Sequence, residues 1–165
     1  MTSYVEQALT ARRQGTQYPF VTYAADLGRI VGSTRFYGLE PWDWTPIDPE
    51  LRPGPRAPGT PDVVNIGYTW LAPLAQRTQI NTEAKLLMLT HAFEHWSARA
   101  VRIQTDARNL RSRKAIERLG CHLDGVLRCE RPGADGTVRD TASYSLLAEE
   151  WPAAKARLTD RLVRA

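Results

Sequence analysis

Two stretches of this sequence place cations and capping residues where a chain could grip an anion. The first, Thr69 to Lys85 (TWLAPLAQRTQINTEAK), reads as the end of a strand, a short loop and the start of a helix. The first backbone N–H groups of a helix lack internal partners and point along its axis. Together with the macrodipole they favour an anion, and a pyrophosphate would fit. Arg77 would add charge-assisted hydrogen bonds. The second stretch, Asp106 to Glu117 (DARNLRSRKAIE), repeats the arrangement, with Asn109 placed to cap a helix and Arg108, Arg111, Arg113 and Lys114 crowded into its opening turn. Each has a plainer reading, an ordinary strand-to-helix connection and a solvated charged face. Side by side on one edge of a sheet, where open α/β sheets bind ligands, they would make a better anion site than either alone.

Other residues carry weaker chemical signals. His91 and His95 lie one helical turn apart, but Ala92 stands where a zinc-protease motif has its glutamate and no third ligand is evident, so no metal is expected. Cys121 and Cys129 fall in one strand, where they cannot reach each other. Neither has a histidine partner, so both read as small buried hydrophobes rather than nucleophiles. Glu40, Asp62, Glu130 and Asp140 sit near strand ends as general-base candidates, and each reads first as a surface carboxylate.

The elements that must position these residues follow from periodicity. Residues 2–14 form a short helix with Val5, Ala8, Leu9 and Arg12 on one stripe and Gly15 as its stop. Strands over 18–25 and 29–37 join through Asp26-Leu27-Gly28 as an antiparallel hairpin. Residues 41–61 hold seven of the eleven prolines, which excludes helix or central strand and predicts a long loop. That loop carries Trp42 and Trp44, read here as a lid over a substrate. A strand spans 63–71, and a helix runs from Glu83 to Trp96, capped by Asn81 or Thr82. A strand over 100–105 leads to a helix capped by Asn109 and ended by Gly120. Strands over 121–131 and 137–147 flank a Pro-Gly turn, and a final helix carries Trp151, Lys155, Leu158 and Leu162. The order is α-β-β-loop-β-α-β-α-β-β-α, without an internal repeat.

The bulk composition agrees with one folded unit over residues 1–165. A hydrophobic fraction of 42% and a charged fraction of 24% are those of a globular chain. Lys and Arg total 22 against 18 acids, a net charge of +4. That mildly favours anionic ligands without singling out nucleic acid. The opening residues are too polar for a signal peptide and no apolar run reaches membrane-spanning length, so a cytoplasmic location with no membrane association is expected.

Two motifs carry a resemblance to the GNAT superfamily of acetyl-CoA-dependent N-acetyltransferases, in particular to the Rim-type branch that acetylates ribosomal-protein N-termini. QRTQINTEAK, residues 76–85, resembles that branch's pyrophosphate loop and helix. NLRSRKAIERLG, residues 109–120, resembles its N-x-x-S-x-x-x-x-E-x-x-G signature through Asn109, Ser112, Glu117 and Gly120. IGYTW at 66–70, DGVLR at 124–128, RDTASYSLL at 139–147 and EW at 150–151 are further echoes, so the likeness spans about Tyr18 to Leu158. It implies an α+β fold, a mixed, mostly antiparallel sheet flanked by helices, shortened at the N-terminus by a strand and a helix. The uncovered sheet edge would then be open to pairing with a second copy. It also implies acetyl-CoA as co-substrate and direct attack of an amine, from a peptide N-terminus or a small molecule, on the thioester.

Residue by residue, the resemblance places the pantetheine arm along Trp70 and Leu71 and wraps the pyrophosphate in Gln76, Arg77, Thr78, Gln79, Ile80, Asn81 and Thr82. Asn109 would bond the cofactor's amides, Ser112 would lie by the thiol as the acid, and Arg113 would complete the binding set. The chain departs from the family loop, Q/R-x-x-G-x-G/A, at Gln79 and Asn81, which stand where small residues are usual. No glycine lies between Gly67 and Gly120. Gln79 therefore supports an alternative, a GNAT scaffold that binds acyl-CoA or another anion without turnover. A third reading, an acetyltransferase acting on an aminoacylated tRNA, rests on the arginine cluster alone.

Overall fold

The computed structural model describes residues 2–48, 50, 57, 59–133 and 135–164. Helix α1 (Thr2–Arg13) leads into strands β1 (Gln17–Ala24) and β2 (Arg29–Glu40). Next come β3 (Val63–Leu71), α2 (Ile80–Thr90), β4 (Ala100–Asp106) and α3 (Leu110–Glu117). The chain ends with β5 (His122–Pro132), β6 (Val138–Leu147) and α4 (Trp151–Val163). The order is the one the periodicity predicts. Gly28 closes the first hairpin with φ 60°, a left-handed backbone that suits glycine.

The strands form one six-stranded sheet in the order β1-β2-β3-β4-β6-β5. Only the central pair, β3 with β4, is parallel, and the other neighbours are antiparallel. This is the mixed, mostly antiparallel α+β sheet that the sequence led us to expect. Phe36, Val64, Ile66, Val101 and Leu146 project from one face onto Leu89, Phe93, Ile116 and Leu158 of the helices. Burial of these side chains, at about 1.5–3 kcal/mol each, fixes the helices on that face. No helix among the described residues is long and apolar enough to cross a membrane.

Several expectations are corrected. Helix α2 begins at Ile80 rather than Glu83, because the Thr78 hydroxyl accepts the Ile80 N–H at 3.3 Å and starts the turn earlier. Asn81 and Thr82 therefore lie within its first turn and do not cap it. Nor does α2 run unbroken to Trp96: residues 91–95 form a π turn in which the Trp96 N–H reaches the His91 carbonyl. The wider turn lets Phe93 stack on Trp151 while Trp96 meets Phe36. Cys121 is buried, but Cys129 is exposed on β5, at the sheet edge. Both are free thiols, and no metal-binding cluster occurs among the described residues.

Asp62 and the tryptophans give the largest correction. Asp62 is 2% exposed, not a surface carboxylate. A buried carboxylate must be matched by donors. The Trp42 backbone N–H donates to it at 2.8 Å and the Trp44 indole N–H at 3.1 Å. Arg99 lies over the Trp44 ring. The tryptophans thus brace the N-terminal end of β3, at the far end of the strand from the cleft described below, and are not its lid. Residues 41–48 of the proline-rich loop form neither helix nor strand, as expected, whereas Pro49, Pro53, Pro55 and Pro58 lie outside the described residues.

Candidate functional site

Strands β3 and β4 pair only from Val63 to Asn65 against Ala100 to Arg102, although β3 runs to Leu71 and β4 to Asp106. Beyond Asn65 their facing edges part. The cause is local. The β2–β3 register shifts between Ser33 and Arg35, and Tyr68 takes a left-handed backbone with φ 52°. An extra residue of this kind bends a strand and ends its pairing. The gap is a cleft of about 740 Å³, walled by β3 from Ile66 to Leu71, by Ile103 to Thr105 of β4, and by the opening turns of α2 and α3.

The two junctions singled out in the sequence meet at this cleft. Gln76 joins them: its amide donates to the Leu71 carbonyl at 3.0 Å, and its carbonyl oxygen accepts from Arg111 at 3.2 Å. Trp70, Leu71, Gln76, Arg77, Thr78, Asn81, Thr82, Asn109 and Ser112 all line the cleft. Asn109 caps α3 by accepting the Ser112 backbone N–H at 3.0 Å, and the Ser112 hydroxyl itself makes no hydrogen bond among the described residues. Arg77 adopts φ 62°, so a non-glycine residue makes the left-handed step in this glycine-free loop.

Three of the residues named from the sequence stand back from the cleft. The Gln79 side chain turns away and donates to the Leu162 carbonyl of α4 at 3.4 Å, so it does not fill the loop. Ile80 packs with Ala24, Val31 and Ala75. Arg113 donates to the Tyr144 hydroxyl at 2.8 Å and to the Ala107 carbonyl. Tyr144 in turn donates to Glu117, so Arg113, Tyr144 and Glu117 together dock α3 on the sheet. Gly120 ends that helix at φ +98°, where a Cβ would meet Ala154 and Arg157 of α4.

The cleft lining has cations and no carboxylate among the described residues: Arg77, Arg111, Arg118, Arg139 and Arg161 contribute to it. With the opening turns of α2 and α3 also lining it, the cleft is electrostatically suited to an anion beside the unpaired strand edges. Those edges carry backbone N–H and C=O groups able to pair with an extended ligand that bears amides.

One further residue belongs to the site and has no counterpart in the sequence reading. Lys85 lines the cleft yet is only 4% exposed. Its amine donates to the Thr34 and Thr69 hydroxyls, each at 2.7 Å. Burial lowers its pKa from 10.5 to about 7. Two acceptors match the two N–H groups of a neutral amine, whereas an ammonium would carry a third. The available signal was its place one turn before Leu89, on the apolar stripe of α2. None of the base candidates lines the cleft. Glu40 pairs with Arg102, Asp140 accepts the Cys129 N–H, Asp62 is held by the tryptophans, and Glu130 pairs with Arg131.

A family profile described as the acetyltransferase (GNAT) domain matches residues 1–122. Among solved structures, a protein from T. thermophilus assigned as an acetyltransferase is 33% identical, with a TM-score of 0.68 over 95% of this chain and 75% of that one. A GCN5-related N-acetyltransferase from Brucella melitensis is 24% identical, with a TM-score of 0.79 over 96% of this chain and 62% of that one. Mycobacterium smegmatis RimJ, solved with CoA-disulfide, is 23% identical, with a TM-score of 0.73 over 97% and 67%. The last two likenesses concern the fold. No curated protein matches the sequence. From the family match over most of its length, and from the parted strands that such a fold requires, the chain belongs to the GNAT acetyltransferase family.

Proposed function

We propose that this chain, acting as one unit over residues 1–165, is an acetyl-CoA-dependent N-acetyltransferase that transfers an acetyl group to a primary amine by direct attack on the thioester. The observation that carries this reading is the carboxylate-free cleft where two helix N-termini meet a pair of parted strands. The RimJ structure with CoA-disulfide supports it by likeness of fold.

The residues present fit a coenzyme A. The loop from Gln76 to Thr82, through those of its backbone N–H groups that the Pro73 carbonyl and the Thr78 hydroxyl do not already take, would hold the pyrophosphate with Arg77 and Arg111. The free edge of β3 at Trp70 and Leu71 would pair with the pantetheine amides, and the Asn109 side-chain amide would reach them from the other wall. Gln79 faces α4, so it does not block this path. Bound acetyl-CoA supplies the activated acyl group. Ser112, whose hydroxyl is uncommitted at the start of α3, would donate to the leaving thiolate. The amine must be neutral when it attacks and lose its proton to water or to a group the acceptor brings near, since no carboxylate lines the cleft among the described residues.

Calorimetric titration with acetyl-CoA, followed by CoA release measured across an amine panel, tests the reading. Micromolar binding together with turnover of at least one amine is expected. Binding without turnover would instead favour a non-catalytic acyl-CoA-binding scaffold, and absence of binding would remove both. Ser112→Ala is expected to lower kcat by about 10²-fold; an unchanged kcat would remove the assigned role of Ser112.

A further inference from the structure

Behind the cleft, on the sheet face opposite α2, lies a cation that the proposed chemistry does not use. Arg35 of β2 is 4% exposed. Its guanidinium is sandwiched between the rings of Tyr4 on α1, at 4.7 Å, and Tyr68 on β3, at 4.1 Å. Among the described residues its one side-chain hydrogen bond goes to the Gln17 side-chain oxygen at 2.8 Å. The Nε–H is buried and has no hydrogen-bond partner among the described residues. No carboxylate pairs with Arg35 among the described residues.

This is an unusual state for an arginine. Guanidinium cannot shed its charge, so burial without a counter-anion is unfavourable, and an unpaired buried donor adds further cost. Two aromatic faces offset part of this. They leave the edge of the guanidinium, where parallel N–H donors match a carboxylate, without its natural complement.

The position of that edge gives it meaning. Tyr68 covers Arg35 on one side, lines the cleft on the other, and is half exposed. It is also the bulged residue that parts β3 from β4, and the Tyr4 hydroxyl bonds its carbonyl at 3.5 Å. A group bound at Arg35 would therefore sit beside the point where strands part and transfer would occur. Arg139 lines the same cleft, and with Arg131 it acts electrostatically on Tyr37, which packs edge-on against Tyr68. The surroundings are thus mainly cationic, with Glu130 the one acid acting on Tyr37 among the described residues.

We propose that the acceptor amine carries a carboxylate, which docks on the guanidinium edge of Arg35 as the Tyr68 ring swings aside. The proposal rests on the acetyltransferase reading for its context and defines the acceptor class within it. The carboxylate can belong to an amino acid itself or to an acidic side chain of a peptide, and the experiment separates the two.

Turnover is compared for L-alanine against L-alaninamide, and for the dipeptide amides Ala-Glu and Ala-Gln. In at least one pair the acid is expected to have a kcat/KM at least about tenfold higher, the size of one charge-assisted hydrogen bond. Arg35→Gln should bring that ratio to within about twofold, and Arg35→Lys, which keeps the charge but loses the fork, should reduce it. Equal use of acid and amide in both pairs, or a preference that survives Arg35→Gln, would overturn the proposal. A readout free of turnover stands beside these. In the wild-type protein the Arg35 Nε–H resonance is followed by NMR during titration with N-acetylalanine and with N-acetylalaninamide. A saturable shift with the acid alone supports docking; no shift, or the same shift with both, sinks it. If no amine is acetylated, the transfer reading fails and the NMR result still decides the docking site, as it does should the variants not fold.

Discussion

Neighbouring residues of β2 serve two buried cations on opposite faces of the sheet, and the chain treats the two differently. Thr34 points toward α2 and accepts from Lys85; Arg35 points the other way, toward Tyr4 of α1. The lysine adapts by giving up its proton, with a pKa lowered to about 7 by burial and two hydroxyls to receive its N–H groups. The guanidinium has no such option. It stays charged between two tyrosines with its Nε–H unmatched. One face of the bulge thereby holds a cation that gives up its proton near neutral pH, and the other keeps a fixed positive charge. Burial alone does not set the electrostatics of a site; the chemistry of the buried cation does.

The largest expected effect separates the two by pH. Folded Lys85 holds its proton only below about 7, while its ordinary value is 10.5. Between these values the unfolded chain binds more protons, so stability rises with pH and is lost as pH falls toward 7, at up to about 1.4 kcal/mol per unit. Cys121, raised from 9.0 to about 12 by burial, acts in the opposite sense only at higher pH. From about pH 7 to about pH 8.5 the wild type should therefore gain roughly 2 kcal/mol relative to Lys85→Met in chemical denaturation. Arg35→Met should retain the wild-type slope. Equal slopes in wild type and Lys85→Met would break the contrast.

The next effect tests the hydroxyl pair. Thr69→Val removes one acceptor of the Lys85 amine and should cost about 1.5 kcal/mol. In the Lys85→Met background the same change should cost little, so the double-mutant cycle should show coupling. Additive losses would mean that the Thr69 contact contributes nothing specific.

The smallest effect lies on the other face. Tyr4→Leu removes one aromatic face from Arg35 and should lower stability by about 1 kcal/mol. Since Tyr4 and Lys85 share no partner, that loss should be the same within about 0.5 kcal/mol in the Lys85→Met background. Strong coupling in thermal unfolding would show that the two faces communicate through the bulge.

Much of the frame was readable along the chain because it depends on local rules. β-Branched and aromatic residues marked β3, alternation marked β4, Asn109 announced the start of α3, and Gly120, at φ +98°, its end. The two anion-facing junctions could be named because a strand followed by a capped helix exposes backbone donors whatever surrounds it. Placement of the Gln79 side chain was not readable, since its partner, the Leu162 carbonyl, lies eighty-three residues away. The same holds for Asp62 and the tryptophans: a carboxylate near a strand end reads as exposed until the loop that buries it is in place.

By itself, then, the sequence determined the order of the elements, the two junctions that face the cleft and the start of α3, because hydrogen bonding and periodicity act over a few residues. Only the tertiary structure decided which charges are buried and what answers them. The parting of β3 from β4 needs the β2 register shift beside Tyr68, and Lys85 and Arg35 become special only once two sheet faces close over them. Desolvation depends on every neighbour in space, and adjacent positions in β2 carry no local mark that one buried cation's pKa will fall while the other keeps its charge.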